Sequence, residues 1–221
     1  MIYAYGICEP GAAAPPPGRR GLGGAALRAL ERDGLAAVYS RHRSLQPRPR
    51  AELVVTHERV VEAIMARGPV LPLRFGTQLE GEQALSTVLA ERRAQMLRGL
   101  EYVRGRVELG LRVIPVGAID SEVPQRERSG RDYLLARVGE HRQAQSAARE
   151  LHAPLDALAK ASVVRARATP PAVLVATYLV DADAVEEFRS RAERIASSLD
   201  ELAIHVTGPW PPYSFADAEK R

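Results

Sequence analysis

Cysteine is almost missing from this 221-residue sequence: Cys8 stands alone, which excludes an intramolecular disulfide and any metal site built from several cysteines. Lysine is as scarce, confined to Lys160 and Lys220, so the 31 basic residues are nearly all arginine, and against 27 acidic residues they leave a formal charge of only +4. These arginines form no cluster and no recognition motif, so no nucleic-acid partner is expected. Aromatic residues make up 5% of the chain, and only Tyr3, Tyr5 and Phe75 could serve an RNA-stacking sheet. No apolar run approaches the roughly 20 residues of a membrane span. The opening MIYAYGICEP lacks a charged region followed by a long apolar core, and the chain is read as cytosolic. Catalytic signals are missing too. His42, His57, His141, His152 and His205 show no ligand spacing, no serine or cysteine sits in a nucleophile context, and no paired carboxylates flank a loop. No catalytic residue, metal or cofactor is therefore expected.

What is present is enough apolar residue, 46%, for one large core or two small ones, and two small domains are the expectation. The stretch Val70–Leu79, VLPLRFGTQL, lies between two helical patterns and reads as a central strand. Regular alternation would place Leu71, Leu73 and Phe75 on one face and Val70, Pro72, Arg74 and Gly76 on the other. A guanidinium among hydrophobes needs an acceptor, so Arg74 is expected to pair with Glu58, Glu62 or Glu108. Pro72 and Gly76 make the segment irregular or edge-like at those points.

In chain order, Met1–Cys8 reads as a strand stopped by Glu9-Pro10-Gly11, and Ala12–Gly24 as a loop. The run Gly21-Leu22-Gly23-Gly24 follows a proline-rich stretch rather than a strand, which argues against a phosphate-cradling loop. Arg32-Asp33-Gly34 is a turn signal between two short apolar segments, as in a β-hairpin, although the first of them also favours helix. A helix over about Ala51–Ala66 carries Leu53, His57, Val60, Val61 and Ile64 on one face, with His57 a hydrogen-bonded core residue. The His-Glu pair at 57–58 has Val61 where a zinc-protease helix needs its second histidine, so it is no metal site. One long helix over Glu82–Val103 and a strand over Val107–Val116 follow, with helices covering one face of the sheet. Asp120–Arg131 reads as the linker between a domain over 1–119 and a second over 132–221. The second contains a helix over Asp132–His152, strands over Ser162–Ala168 and Ala172–Val180, a helix capped by Asp181 or Asp183, and a closing strand over Leu202–Thr207.

Residues 208–215, GPWPPYSF, combine three prolines with Trp210, Tyr213 and Phe215. Such a segment is either a tail pinned to its own domain by aromatic anchors or a docking peptide for a partner.

YAYGI at the start, His57 ahead of VLPLRFGT, the VELGLRV strand, Gly130 with Tyr133 and Leu134, and TGPWPPYSF together resemble the GvpL/GvpF family of gas vesicle proteins. The resemblance implies an accessory or minor component of these gas-filled buoyancy structures, one that associates with the small hydrophobic shell protein (GvpA-like) and with other gas vesicle proteins. It also implies two α+β domains, here ferredoxin-like sandwiches with the first modified and an extended C-terminal tail. Binding is expected through the domain over 1–119 and Leu71, Leu73, Phe75, Trp210, Tyr213 and Phe215, with Arg74, Glu58, Glu62 and His57 as structural residues. The alternatives are a small-molecule enzyme with an interdomain pocket and a ferredoxin-like RNA-binding protein.

Overall fold

The structure is a computed structural model and describes residues 1–14, 18–44, 49–116, 146, 150–165, 172–199 and 202–216. The chain divides into two compact units: Met1–Val107 joined by the stretch from Trp210, and Glu108–Pro209.

The first unit contains strands β1 (Ile2–Cys8), β2 (Leu27–Arg32), β3 (Leu35–Arg41), β4 (Val70–Pro72) and β5 (Gln78–Leu79), and helices α1 (Ala51–Met65), α2 (Glu82–Glu91) and α3 (Arg93–Val103). The strands lie in the order β2-β3-β1-β4, with β5 also on β1, and every pairing is antiparallel. The β2–β3 connection is the expected hairpin. Asp33 and Gly34 both have positive φ, 50° and 83°, the backbone that a two-residue turn between twisted strands demands.

All seven residues of β1 are buried, and all of β3 but Arg41. A strand is buried at every position only when both faces of its sheet are covered. Val70 and Leu71 show the two faces: Val70 packs in a cluster with Val60, Val61 and Ile64 of α1, while Leu71 meets Gly99 of α3. Consecutive strand residues point opposite ways, so α1 lies on one face and α3 on the other. The expectation of helices on one face alone is thus corrected. A β-bulge at Tyr5, where the register with β3 slips between Ala4 and Gly6, puts Cys8 on the same face as Tyr3 and Tyr5.

The strand that organises this unit is β1, not the run from Val70. That run is strand only over Val70–Pro72 and Gln78–Leu79, with Leu73 and Thr77 also bonded to the β1 backbone and a turn at Phe75–Gly76, where Gly76 adopts φ 93°. Nor is the helix over 82–103 continuous. Arg92, at φ −105° and ψ 15°, separates α2 from α3. The break is held by tertiary bonds to the hairpin: Arg32 donates to the Ser86 carbonyl at 3.1 Å, and Arg93 donates to the Asp33 carbonyl at 2.7 Å.

The second unit takes β6 (Arg106–Pro115) from Glu108, helical residues 150–156, β7 (Ala161–Val164), β8 (Leu174–Asp181), α4 (Val185–Ala196) and β9 (Leu202–Trp210). The strand order is β7-β8-β6-β9, and the succession strand, helix, strand, strand, helix, strand is that of a split βαβ plan. Leu109, Leu111 and Val113 are buried, and so is Glu108. Asp181 stands at the N-cap of a 3-10 turn, Ala182–Ala184, that leads directly into α4, and Ala184 is the cap residue of α4 itself.

The expected division of the chain differs from the observed one in two respects. The boundary falls inside β6, at Val107, and the aromatic tail from Trp210 packs with the first unit rather than the second. The expected linker over 120–131, Gly130, Tyr133, Leu134, His141 and most of the helix over 132–152 lie outside the described residues.

Candidate functional site

The apolar stripe of α1 turns His57 into the first unit, where it is fully buried. Its Nε2 lies 3.0 Å from the Leu73 carbonyl, which can only accept, so Nε2 carries the proton. Burial holds the imidazole neutral, lowering its pKa from 6.5 to about 4 against the opposing effect of the Leu73 bond. A neutral ring then accepts at Nδ1, and the Tyr3 hydroxyl at 3.0 Å is the donor. Tyr3 Oη in turn accepts from the Gly76 N–H at 3.0 Å. The chain of bonds runs from Gly76 through Tyr3 and His57 to Leu73, and it fastens both ends of the turn at residues 73–76 to the core.

A second relay starts at the other β1 tyrosine. The Leu22 N–H donates to Tyr5 Oη at 2.8 Å, Tyr5 lies 2.8 Å from Ser40 Oγ, and Ser40 lies 2.8 Å from His42 Nε2. His42 stands in the wall of a cavity of about 380 Å³ lined also by Arg41, Arg43 and Glu82. Burial raises the pKa of both tyrosines, that of Tyr3 to about 12.

Around His57 the rings of Tyr3, Tyr5, Phe75 and Tyr213 stand at 5.7, 5.5, 5.9 and 6.4 Å. Tyr213 brings the tail against α1. Its hydroxyl is buried against the Glu58 carboxylate, and burial together with that charge and hydrogen bond raises its pKa. Glu58 is itself half-buried. Burial raises its carboxyl pKa, Tyr213 opposes this, and Glu62, one turn further along α1, adds to it.

The structure brings the predicted residues of the two sequence blocks together unevenly. Leu73, Phe75 and Tyr213 are half-buried beside His57, and Trp210 is exposed at 42%. Leu71 and Phe215 are core residues, at 6% and 3%, and have no surface to offer a partner. Arg74 is exposed and makes no ion pair among the described residues, so the expected pairing with Glu58, Glu62 or Glu108 does not form. It lies in the turn, where only its carbonyl is used, accepting from Thr77 N–H at 3.1 Å and Thr77 Oγ1 at 2.7 Å. Tyr3 and Tyr5, the aromatics an RNA-binding sheet would present, lie fully buried beneath α1. Sequence reasoning missed Tyr3 and the Leu73 carbonyl as partners of His57, and Gly76 as the partner of Tyr3. The only available signal was that YAYG and LRFG flank a buried helix histidine. Among the described residues no group of three or more His, Cys, Asp or Glu side chains is placed to hold a metal ion.

Two antiparallel sheets with their helices define an α+β fold shared with solved gas vesicle proteins. The structures of GvpF from Anabaena and from Microcystis aeruginosa superpose with TM-scores of 0.78 and 0.76 at 21% and 20% identity, each covering 97% of this chain and 95% and 98% of theirs. In sequence, the chain is 30% identical to gas vesicle protein L of a Streptomyces species, over 98% of this chain and 92% of that protein. It is 26% identical to gas vesicle protein F2 of Halobacterium salinarum, over 83% and 76%. Residues 1–217 match the family described as gas vesicle synthesis protein GvpL/GvpF, and the chain belongs to that family.

Proposed function

We propose that this protein is a non-enzymatic accessory component of gas vesicles that binds the small hydrophobic shell protein (GvpA-like) during nucleation and assembly. It would act in the cytoplasm, in association with the growing vesicle. A small subunit with an apolar face must be kept from aggregating before it assembles, and a partner surface that covers that face does this without chemistry. The observation that carries the reading is the pairing of two distant sequence blocks on one unit. The LPLRFGT turn and the GPWPPYSF tail meet around His57 and leave Leu73, Phe75 and Tyr213 half-exposed, with Trp210 exposed three residues away. Aromatic side chains held on a rigid base dominate the affinity of many protein interfaces.

The test is co-expression of the full-length protein with the shell protein from the same source, followed by affinity capture. Capture of shell protein is expected, and Phe75→Ser combined with Trp210→Ser should lower it about tenfold or more, with retention of the fold checked by circular dichroism. Failure of the wild-type protein to capture soluble shell protein overturns the reading.

A further inference from the structure

Glu58 and Glu62 lie one turn apart on α1, both half-buried, and neither makes an ion pair among the described residues. Arg74 was the cation expected for them and stands exposed instead. Two like charges on one helix face, partly withdrawn from water and lacking a counter-charge, oppose the stability of the fold that holds them. The Tyr213 hydroxyl is buried against Glu58, so the tail presents its ring at the edge of the two carboxylates without supplying a counter-charge. The surroundings are apolar and aromatic: Phe75 and Tyr213 flank His57, and the Leu73 carbonyl closes over its other nitrogen. A surface of this composition fits a partner that brings a cation and an apolar face together.

We propose that Glu58 and Glu62 accept a lysine or arginine from an amphipathic segment of the protein partner, while the apolar side of that segment covers Leu73, Phe75 and Tyr213. The inference rests on the binding role proposed above and specifies the chemistry of the partner. Charge complementarity selects this occupant. An acidic or wholly apolar segment would leave the two carboxylates buried and unpaired, and that penalty would exclude it. Arg74, exposed at the turn, adds a repulsive element against a second cation placed on the wrong side of the segment.

The experiment is a binding titration of co-purified shell protein against full-length wild type, Glu58→Gln/Glu62→Gln and Phe75→Ser, at two or more salt concentrations. Glu52→Gln, an exposed carboxylate in the first turn of α1, is the control. The double glutamine variant should weaken binding about tenfold and flatten its salt dependence. Glu52→Gln should do neither. The double variant should melt no lower than wild type, because the change removes a repulsion, and the two single variants should fall between. Wild-type affinity and salt dependence in the double variant, with Phe75→Ser impaired, would overturn this inference and leave the binding role standing. No binding by wild type removes both.

Discussion

Each unit of the molecule buries a tyrosine whose hydroxyl meets the Nδ1 of a histidine, Tyr3 with His57 at 3.0 Å and Tyr178 with His152 at 2.8 Å. Both tyrosines are fully buried, and the ring separations of the two pairs are nearly equal, 5.7 and 5.6 Å. The surroundings differ. His57 is sealed from solvent and uses both nitrogens, and Tyr3 Oη also takes the Gly76 N–H, so the pair sits in the middle of a longer relay that ends on a surface turn. His152 is half-buried, and Tyr178 turns its ring instead toward Phe188 at 5.0 Å. The same two side chains thus position a loop in one unit and cap a core in the other. What decides between these roles is whether the neighbouring backbone has groups left to bond.

The sharpest way to break this contrast is to empty the first site. His57→Ala leaves a cavity and strands both the Tyr3 hydroxyl and the Leu73 carbonyl, and should cost about 4 kcal/mol in urea unfolding followed by Trp210 emission. A loss below 1 kcal/mol would mean that the relay is incidental.

The next largest effect is one of pH. His57 titrates near 4 in the folded protein and at its ordinary 6.5 when unfolded. Between these values the unfolded chain binds the extra proton. The stability that the neutral ring contributes is therefore complete above about pH 6.5 and disappears as pH falls towards 4, a change on the order of 3 kcal/mol. A His57→Phe variant should lose most of this slope in melting curves taken from pH 7 to 4. Glu58 works in the opposite sense, since burial raises its folded value and its contribution is lost as pH rises.

The finest comparison sets Tyr3→Phe against Tyr178→Phe. The first deprives the buried His57 ring and the half-buried Gly76 N–H of a partner and should cost about 2 kcal/mol, whereas the second removes one bond to a half-buried ring and should cost about 1 kcal/mol. Equal losses by calorimetry would erase the distinction between the two sites.

Much of the secondary structure was legible because it rests on local rules. Asp33-Gly34 dictates its own turn, β1 stops at Glu9-Pro10, and α1 follows the spacing of Val60, Val61 and Ile64. His57 was legible as a bonded core residue, because a histidine on an apolar stripe must find partners. Those partners were not legible, for they come from β1 and from a turn 16 residues along the chain. The run at 70–79 misled for a physical reason. Val70 and Leu71 are covered from opposite faces of the sheet, yet the run breaks into a turn at Phe75–Gly76, and composition alone does not distinguish that from a continuous buried strand. Arg74 misled for the same reason: the turn at Phe75–Gly76 carries it out to solvent. The placement of Trp210–Phe215 was illegible because nothing local records to which unit an extended segment returns.

That return has a consequence for the order in which the protein is made. Tyr213 and Phe215 belong to the unit begun by Met1, so the first unit to leave the ribosome must wait for more than a hundred intervening residues before its last aromatic anchors arrive. Until then Glu58 and the surface around His57 stand uncovered. A chain halted anywhere within the second unit therefore releases an unfinished first unit, open along the side where we place the partner.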